Sequence, residues 1–508
     1  MQKNNVTLRW NNYTYFPYEK VFAQREISSL LSPVALNESD DGIKVVGKFD
    51  EKALSRLVYF KEYQLNGKAI PTLQSQLESS CVINGKQKRQ STRYSVHGLH
   101  EYKGKFNPQV VRGVLNLLGV SEKANILDPF SGSGTTLVEC AHAKIKAVGW
   151  DINPLAVYIT NAKLKALSTP ANELQTIFAN LINKFKDNDV KIKTPIPSDD
   201  KRAEYLWNWF DKQYISKIER LRLLILEDAR GYEEIFLALA SDLLRDYSLQ
   251  EPTDLRIRRR FSLYPNDTFF EAYQKKTTLF IDNLVATQDL LGVLPYKNHA
   301  YLLDSRKLEK LFNESHKPKN GFQAAITSPP YATALPYIDT QRLSLVWLGL
   351  ISPKEISNLE AKLTGSREFA QEQKKLWSQA LQDNTDKLPK EIHHYCMGLY
   401  QSLSSKDGFR RQSVPMLLYR YLSDMKMAFE TVIGVMATSA PFALIVGHNK
   451  TILSGKEFDI NTPSLLKIIA EETGWKHKES TPLQTYQRYG LHSTNAVKAE
   501  TLLIVEKP

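Results

Sequence analysis

Cysteine is scarce: Cys81, Cys140 and Cys396 are the only three in 508 residues, far apart and without a Cys-x-x-Cys pair. That spacing excludes a disulfide framework, offers no zinc ligand set and points to a reducing compartment. Long apolar runs are missing as well. Met1-Gln2-Lys3-Asn4-Asn5 has no apolar core of a signal peptide, and no stretch approaches the length of a membrane span, so a cytoplasmic protein without a membrane partner is expected. Where histidines crowd, in His393-His394-Tyr395-Cys396, three donors in four consecutive positions cannot all face one ion from one helical turn, and no metal is expected. Acidic residues are in deficit, with 55 Asp and Glu against 67 Lys and Arg, a formal charge of +12 that favours a polyanionic partner.

What is present centres on Asn125-Ile126-Leu127-Asp128-Pro129-Phe130-Ser131-Gly132-Ser133-Gly134-Thr135-Thr136, continued by Leu137-Val138-Glu139-Cys140. An apolar run ending at a carboxylate, crossing a glycine-rich turn and entering a helix reads as strand, tight loop and helix, the first unit of a doubly wound sheet. No Lys follows the second glycine, so this is not a phosphate-cradling P-loop, and Gly132 and Gly134 lack the third glycine of the dinucleotide fingerprint. A second short strand, Lys146-Ala147-Val148-Gly149-Trp150, is closed by Asp151, where a carboxylate accepts hydrogen bonds from both hydroxyls of a ribose. Asp128 and Asp151 together favour a nucleoside with a neutral or cationic tail, a description that S-adenosylmethionine meets.

With these residues the chain resembles the S-adenosylmethionine-dependent amino-methyltransferases of DNA. Asp128-Pro129-Phe130-Ser131-Gly132-Ser133-Gly134-Thr135-Thr136 looks like their cofactor loop, and Ser328-Pro329-Pro330-Tyr331, preceded by Thr327, looks like their catalytic tetrapeptide in the form associated with N4 of cytosine. The likeness runs from about Tyr94 to Leu164 and from about Tyr301 to the C-terminus. It implies an α/β, Rossmann-like class I methyltransferase with a mixed seven-stranded sheet and helical insertions. By the same resemblance Phe106 helps cover the methionine end of the cofactor, Asp151 and Ile152 flank its ribose, and Asp304, after a third strand His299-Ala300-Tyr301-Leu302-Leu303, is a third cofactor contact.

The boundaries expected from the pattern are an N-terminal arm and accessory segment (1–93), a cofactor-binding half (94–167), a helical insertion that is a candidate recognition region (168–297), a catalytic half (298–351), a second insertion (352–413) and a closing part (414–508). The arm opens on Arg9-Trp10-Asn11-Asn12-Tyr13-Thr14-Tyr15-Phe16-Pro17-Tyr18, which either stacks on bases or packs across the catalytic domain. A polar loop carrying Lys86, Lys88, Arg89 and Arg93 follows. In the first insertion Arg256, Arg258, Arg259 and Arg260 crowd into five positions, a set that either neutralises phosphates and reads guanine edges or forms a solvated face. Tyr337 and Arg342, after the tetrapeptide, are candidate nucleotide contacts, and Arg410-Arg411 with Tyr419-Arg420-Tyr421 are candidates for lining a DNA groove. Closing strands are expected at Phe442-Ala443-Leu444-Ile445-Val446-Gly447, at Trp475-Lys476 and at Thr501-Leu502-Leu503-Ile504-Val505, with Tyr486, Arg488 and Tyr489 in a polar loop.

The tetrapeptide has a chemical reason. An exocyclic amino nitrogen shares its lone pair with the ring and must move toward tetrahedral geometry before it attacks a sulfonium methyl. The Ser328 hydroxyl and the Pro329 carbonyl are acceptors for its two N–H groups, the diproline holds them rigid, and Tyr331 stacks on a base swung out of the duplex. No Pro-Cys dipeptide occurs, which argues against methylation at carbon-5 through a cysteine adduct. The expected activity is methylation of N4 of cytosine in double-stranded DNA in a restriction-modification or phage-defence setting, with a cognate endonuclease or defence subunits as partners. N6-adenine methylation, RNA base methylation and a catalytically silent DNA-binding regulator are the alternatives.

Overall fold

A computed structural model describes residues 4–79, 91–187, 201–307, 317–332, 337–367, 371–484 and 499–508. The Lys86, Lys88 and Arg89 segment and Tyr486, Arg488 and Tyr489 lie outside the described residues.

The N-terminal segment is not simply an arm. β1 (Asn4–Trp10), β2 (Ala35–Ser39), β3 (Gly42–Gly47), β4 (Phe60–Leu65) and β5 (Lys68–Pro71) form an antiparallel sheet in the order β2-β3-β1-β4-β5. Alternating Val6 and Leu8 in β1 and Ile43 and Val45 in β3 are buried, the period-2 signature of a sheet with one covered face. Part of the aromatic run packs on this sheet: Trp10 stacks on Phe60 at 4.5 Å and the Tyr15 hydroxyl donates to the Tyr59 carbonyl.

The second sheet has seven strands. β6 (Asn125–Asp128), β7 (Lys146–Asp151), β8 (His299–Leu302), β9 (Ala324–Thr327), β10 (Pro441–Gly447), β13 (Lys476–Gln484) and β14 (Ala499–Glu506) are ordered β13-β14-β10-β9-β6-β7-β8, while β11 (Asn449–Leu453) and β12 (Lys456–Ile460) make a separate hairpin. β6 is parallel to β7 and β9, and β14 runs antiparallel to its neighbours β10 and β13. Successive side chains go to opposite faces: Ile126, Ala443, Ile445 and Leu502 join one core, and Leu127, Leu444, Val446 and Leu503 the other. Both faces are therefore covered, as a Rossmann-like three-layer fold requires.

From β6 the chain winds outward through β7 and β8, then returns to the other side of β6 as β9. The order reverses between β6 and β9, and the crevice outside strand ends at such a reversal is where open α/β sheets bind ligands. Among the described residues six α-helices stand between β7 and β8: Pro154–Leu167, Ala171–Asp187, Lys201–Trp207, Lys212–Asp228, Glu233–Asp242 and Phe269–Leu291. Between β9 and β10 the helices Ile356–Lys362, Gln371–Asp383 and Lys390–Gln401 precede the long helix Phe409–Ile433.

Candidate active site

The loop after β6 starts the helix Thr135–His142, with Gly134 as its N-cap. Gly134 has φ +79°, and a Cβ there would lie 2.4 Å from Thr160, so only glycine lets the loop seat against the helix Pro154–Leu167. That helix grips the loop by its carbonyls: Thr160 Oγ1 donates to Gly132 O (3.0 Å) and the buried Lys163 Nζ to Ser133 O (2.7 Å).

A cavity of about 830 Å³ opens at the strand ends. Its lining includes Phe106, Asp128, Pro129, Phe130, Ser131, Gly132, Thr135, Asp151, Ile152 and Asp304 of the expected cofactor set, and Ser328, Pro329, Pro330, Tyr331 and Tyr337 of the expected catalytic and nucleotide set. The two motifs are bonded directly, since Thr327 Oγ1 donates to Asp128 Oδ1 at 2.6 Å. Gly134 and Thr136 are not among the residues lining the cavity; Thr136 is fully buried in the helix behind the loop.

Asp151 Oδ2 accepts from Gly132 N (2.8 Å) and Oδ1 from Asn153 N (2.8 Å). Burial raises its carboxyl to about 6, against the pull of those N–H groups. Asp128 is likewise raised to about 6 by burial, opposed by hydrogen bonds from Thr327 and Phe130. Asp304 reaches the cavity with both oxygens held by Arg306, which also pairs with Asp424 at 2.9 Å; the carboxyl expected to meet the cofactor carries a bidentate guanidinium and keeps acceptor capacity beside it.

Ser328 Oγ donates to Ile445 O (3.3 Å), which leaves its lone pairs as acceptors. The Tyr331 hydroxyl donates to Glu500 (2.8 Å), and burial together with that carboxylate keeps the phenol well above its ordinary range. Its ring lies against Gly447, where a Cβ would come within 2.7 Å. The ring has a seat only because β10 ends in glycine.

The arginines divide. Arg260 is spent inside its own loop, Arg259 donates to Asn208 O and lies over Trp209, and Arg258 pairs with Asp254. Arg342 is buried, its guanidinium 3.7 Å from the Trp209 ring. For Arg260 and Arg342 the expectation of an outward contact is corrected: backbone carbonyls claim Arg260, and the Tyr205 and Trp209 rings cover Arg342. Tyr419, Arg420 and Tyr421 also point inward, Arg420 onto Ser366 O, whereas Arg256, Arg410 and Arg411 are exposed.

Tyr13, Thr14 and Glu19 of the N-terminal aromatic run also line the cavity, and residues that local reasoning missed join them from distant segments: Asp242, Lys276 and Glu500. Lys276 pairs with Asp242 at 2.7 Å. No local pattern signals them, because each arrives through a long-range contact. Beneath the loop helix lies a sealed cluster that was also missed. Glu139 accepts from Tyr94 (2.7 Å), His97 (2.7 Å) and Arg112 (3.0 Å), with His142 at 3.4 Å. His97, Glu139 and His142 have the spacing of a metal site, but the Arg112 cation already faces the same carboxylate, and a second cation would be repelled.

S-adenosylmethionine, the cofactor the resemblance implies, fits the cavity. Asp151 is poised for ribose hydroxyls, Phe130 and Ile152 give apolar walls for a purine, and Asp128 and Glu500 suit a cationic tail. Ser131 Oγ and Ser133 Oγ are buried at the cavity wall without a protein partner, which leaves them to a polar ligand.

Residues 35–162 match the family model described as DNA methylase, of N6/N4 type. The chain is 42% identical over 93 residues to the Type II methyltransferase M.MjaII of Methanocaldococcus jannaschii, covering 18% of this chain and 17% of that protein. It is 26% identical over 306 residues to M.MvaI of Kocuria varians (54% of this chain, 63% of that one) and 28% identical over 288 residues to M.BsoBI of Geobacillus stearothermophilus (52% and 55%). The aligned parts thus span less than two thirds of each of these Type II methyltransferases. With the bonded strand tips, the matched segment and these relatives, the chain is similar over these segments to amino-methyltransferases of the N6/N4 type.

Proposed function

We propose that the protein methylates N4 of cytosine in a short sequence of double-stranded DNA, taking the methyl group from S-adenosylmethionine. The observation that carries this reading is the Thr327–Asp128 hydrogen bond, which fixes Ser328, Pro329 and Pro330 beside the nucleoside crevice, so that donor and acceptor share one cavity. When bound, S-adenosylmethionine supplies a methyl group activated by a sulfonium. The protein's own part is positional. Asp151 and the loop hold the nucleoside, while Tyr331 and Tyr337 wall a space for an everted base. The Ser328 hydroxyl and the Pro329 carbonyl accept the amino hydrogens, which turns the nitrogen lone pair toward the methyl group; alignment then supplies much of the rate. Tyr331, held neutral, remains a hydrogen-bond donor to Glu500 and is no base.

The relatives' designation as Type II methyltransferases supports a restriction-modification setting with a cognate endonuclease acting on the same sequence. Incubation with unmethylated plasmid DNA and isotope-labelled S-adenosylmethionine, followed by digestion and mass spectrometry of the nucleosides, tests the reading. N4-methylcytosine is the expected product. N6-methyladenine would overturn the base assignment, and label on tRNA but not on duplex DNA would overturn the substrate. Ser328→Ala should slow transfer by about a hundredfold or more while cofactor affinity stays unchanged.

A further inference from the structure

The segment between the 3-10 turn Leu244–Tyr247 and the helix Phe269–Leu291 is built as a frame. The Arg260 guanidinium donates to Asp246 O and Ser248 O (both 2.7 Å), Arg245 O (3.0 Å) and Leu263 O (3.1 Å), and lies 4.5 Å from the centre of the Tyr264 ring. The buried Glu251 carboxylate accepts the backbone N–H groups of Thr253 (3.2 Å), Phe261 (3.3 Å) and Ser262 (3.2 Å). Gln250 bridges to Arg259 and donates to the Asp339 carbonyl at 2.8 Å. The frame is thereby anchored on the helix Tyr337–Trp347, whose first residue lines the active cavity; Asp242, just upstream, lines it too.

What this frame presents to solvent is apolar. Leu263 is 93% exposed, Phe261 71%, and Ile257 is also exposed. Arg256 and Arg258 are exposed beside them. Isolated exposed apolar residues are ordinary, but two large ones fixed by a buried carboxylate and a fully engaged guanidinium are preorganised, so little entropy remains to be lost when they meet a partner. Charge complementarity selects that partner. Flanking arginines suit phosphates, and phenylalanine and leucine are side chains that wedge against base steps and unstack them.

We infer that residues 250–264 dock on the duplex beside the target base, with Arg256 and Arg258 on phosphates and Phe261 and Leu263 wedged against the base stack. The inference rests on the reading of DNA as substrate and adds the element that opens it. Arg260 and Glu251 act by holding the wedge and touch no DNA.

Binding of the full chain to unmethylated plasmid fragments, measured across a salt series, tests this. A Phe261→Ser, Leu263→Ser double variant should bind about tenfold more weakly at every salt concentration, with an unchanged slope of log affinity against log salt, because an apolar wedge releases no counterions. An Arg256→Ala, Arg258→Ala double variant should instead lower the slope by about 1 for each arginine. S-adenosylmethionine affinity should stay at the wild-type value in both, which also shows that they fold. A Phe261→Ser, Leu263→Ser variant that binds and methylates plasmid DNA like the wild type would overturn the wedge alone. A wild-type protein that neither binds nor methylates DNA would overturn the substrate reading, and the wedge with it.

Discussion

The buried carboxylates around the helix Thr135–His142, two ahead of its start and Glu139 within it, are treated in opposite ways. Asp128 and Asp151, at the strand tips, meet only neutral N–H and hydroxyl donors, and burial raises both to about 6. Burial pushes Glu139 up as well, but the Arg112 guanidinium, His142 and His97 outweigh it and hold the carboxyl well below its usual range. The difference separates a site from a brace. The cavity pair meets no cation, whereas both Glu139 oxygens are engaged by Tyr94, Arg112 and the two histidines, which ties the loop helix to the segment Tyr94 to Arg112.

Breaking the brace should have the largest effect. Glu139→Ala leaves Arg112 buried without its carboxylate and should destabilise the chain by about 3–5 kcal/mol, read by denaturant unfolding. Midpoints equal to wild type would erase the contrast. Asp151→Asn is the counterpart: S-adenosylmethionine affinity should drop by about tenfold to a hundredfold, by calorimetry, with a stability loss of about 1–2 kcal/mol, because asparagine keeps only one of the two oxygens that accept from Gly132 N and Asn153 N.

pH sharpens the comparison. Because the folded value of Asp151 lies near 6, above its unfolded value, acidification favours the protonated form in the folded chain, so the contribution of this group to stability grows as pH falls from 6 toward the ordinary carboxylate range. The ionised form that ribose hydroxyls need is depleted at the same time. Cofactor affinity should therefore fall about tenfold per pH unit below 6 in the wild type, and the Asp151 part of that dependence should vanish in Asp151→Asn. Glu139 runs the other way, its contribution complete above the ordinary carboxylate range and lost as pH falls through its depressed folded value. The smallest effect is expected for Thr327→Val, which removes the bond to Asp128. It should cost about 1 kcal/mol of stability and slow methyl transfer more than it weakens cofactor binding.

Legibility followed the range of the interactions. β6 and β7 could be read to within a residue because two buried apolar runs end in Asp128 and Asp151. The aromatic run near the N-terminus could not be placed, since Trp10 and Tyr15 are explained only by Phe60 and Tyr59, which lie 44 or more residues away. The arginine cluster misled for the same reason. Nothing local tells Arg260, wrapped around four carbonyls, from Arg256, which faces solvent.

Short-range chemistry, then, was written in the chain itself: a carboxylate, a glycine turn and a diproline each act through backbone geometry that neighbouring residues impose, and so they name a nucleoside crevice and an amine acceptor without a structure. Tertiary structure alone decided which charges are braces and which are open, and which distant residues close the cavity, because a side chain's partner is chosen by packing across the sheet, where separation in sequence carries no information.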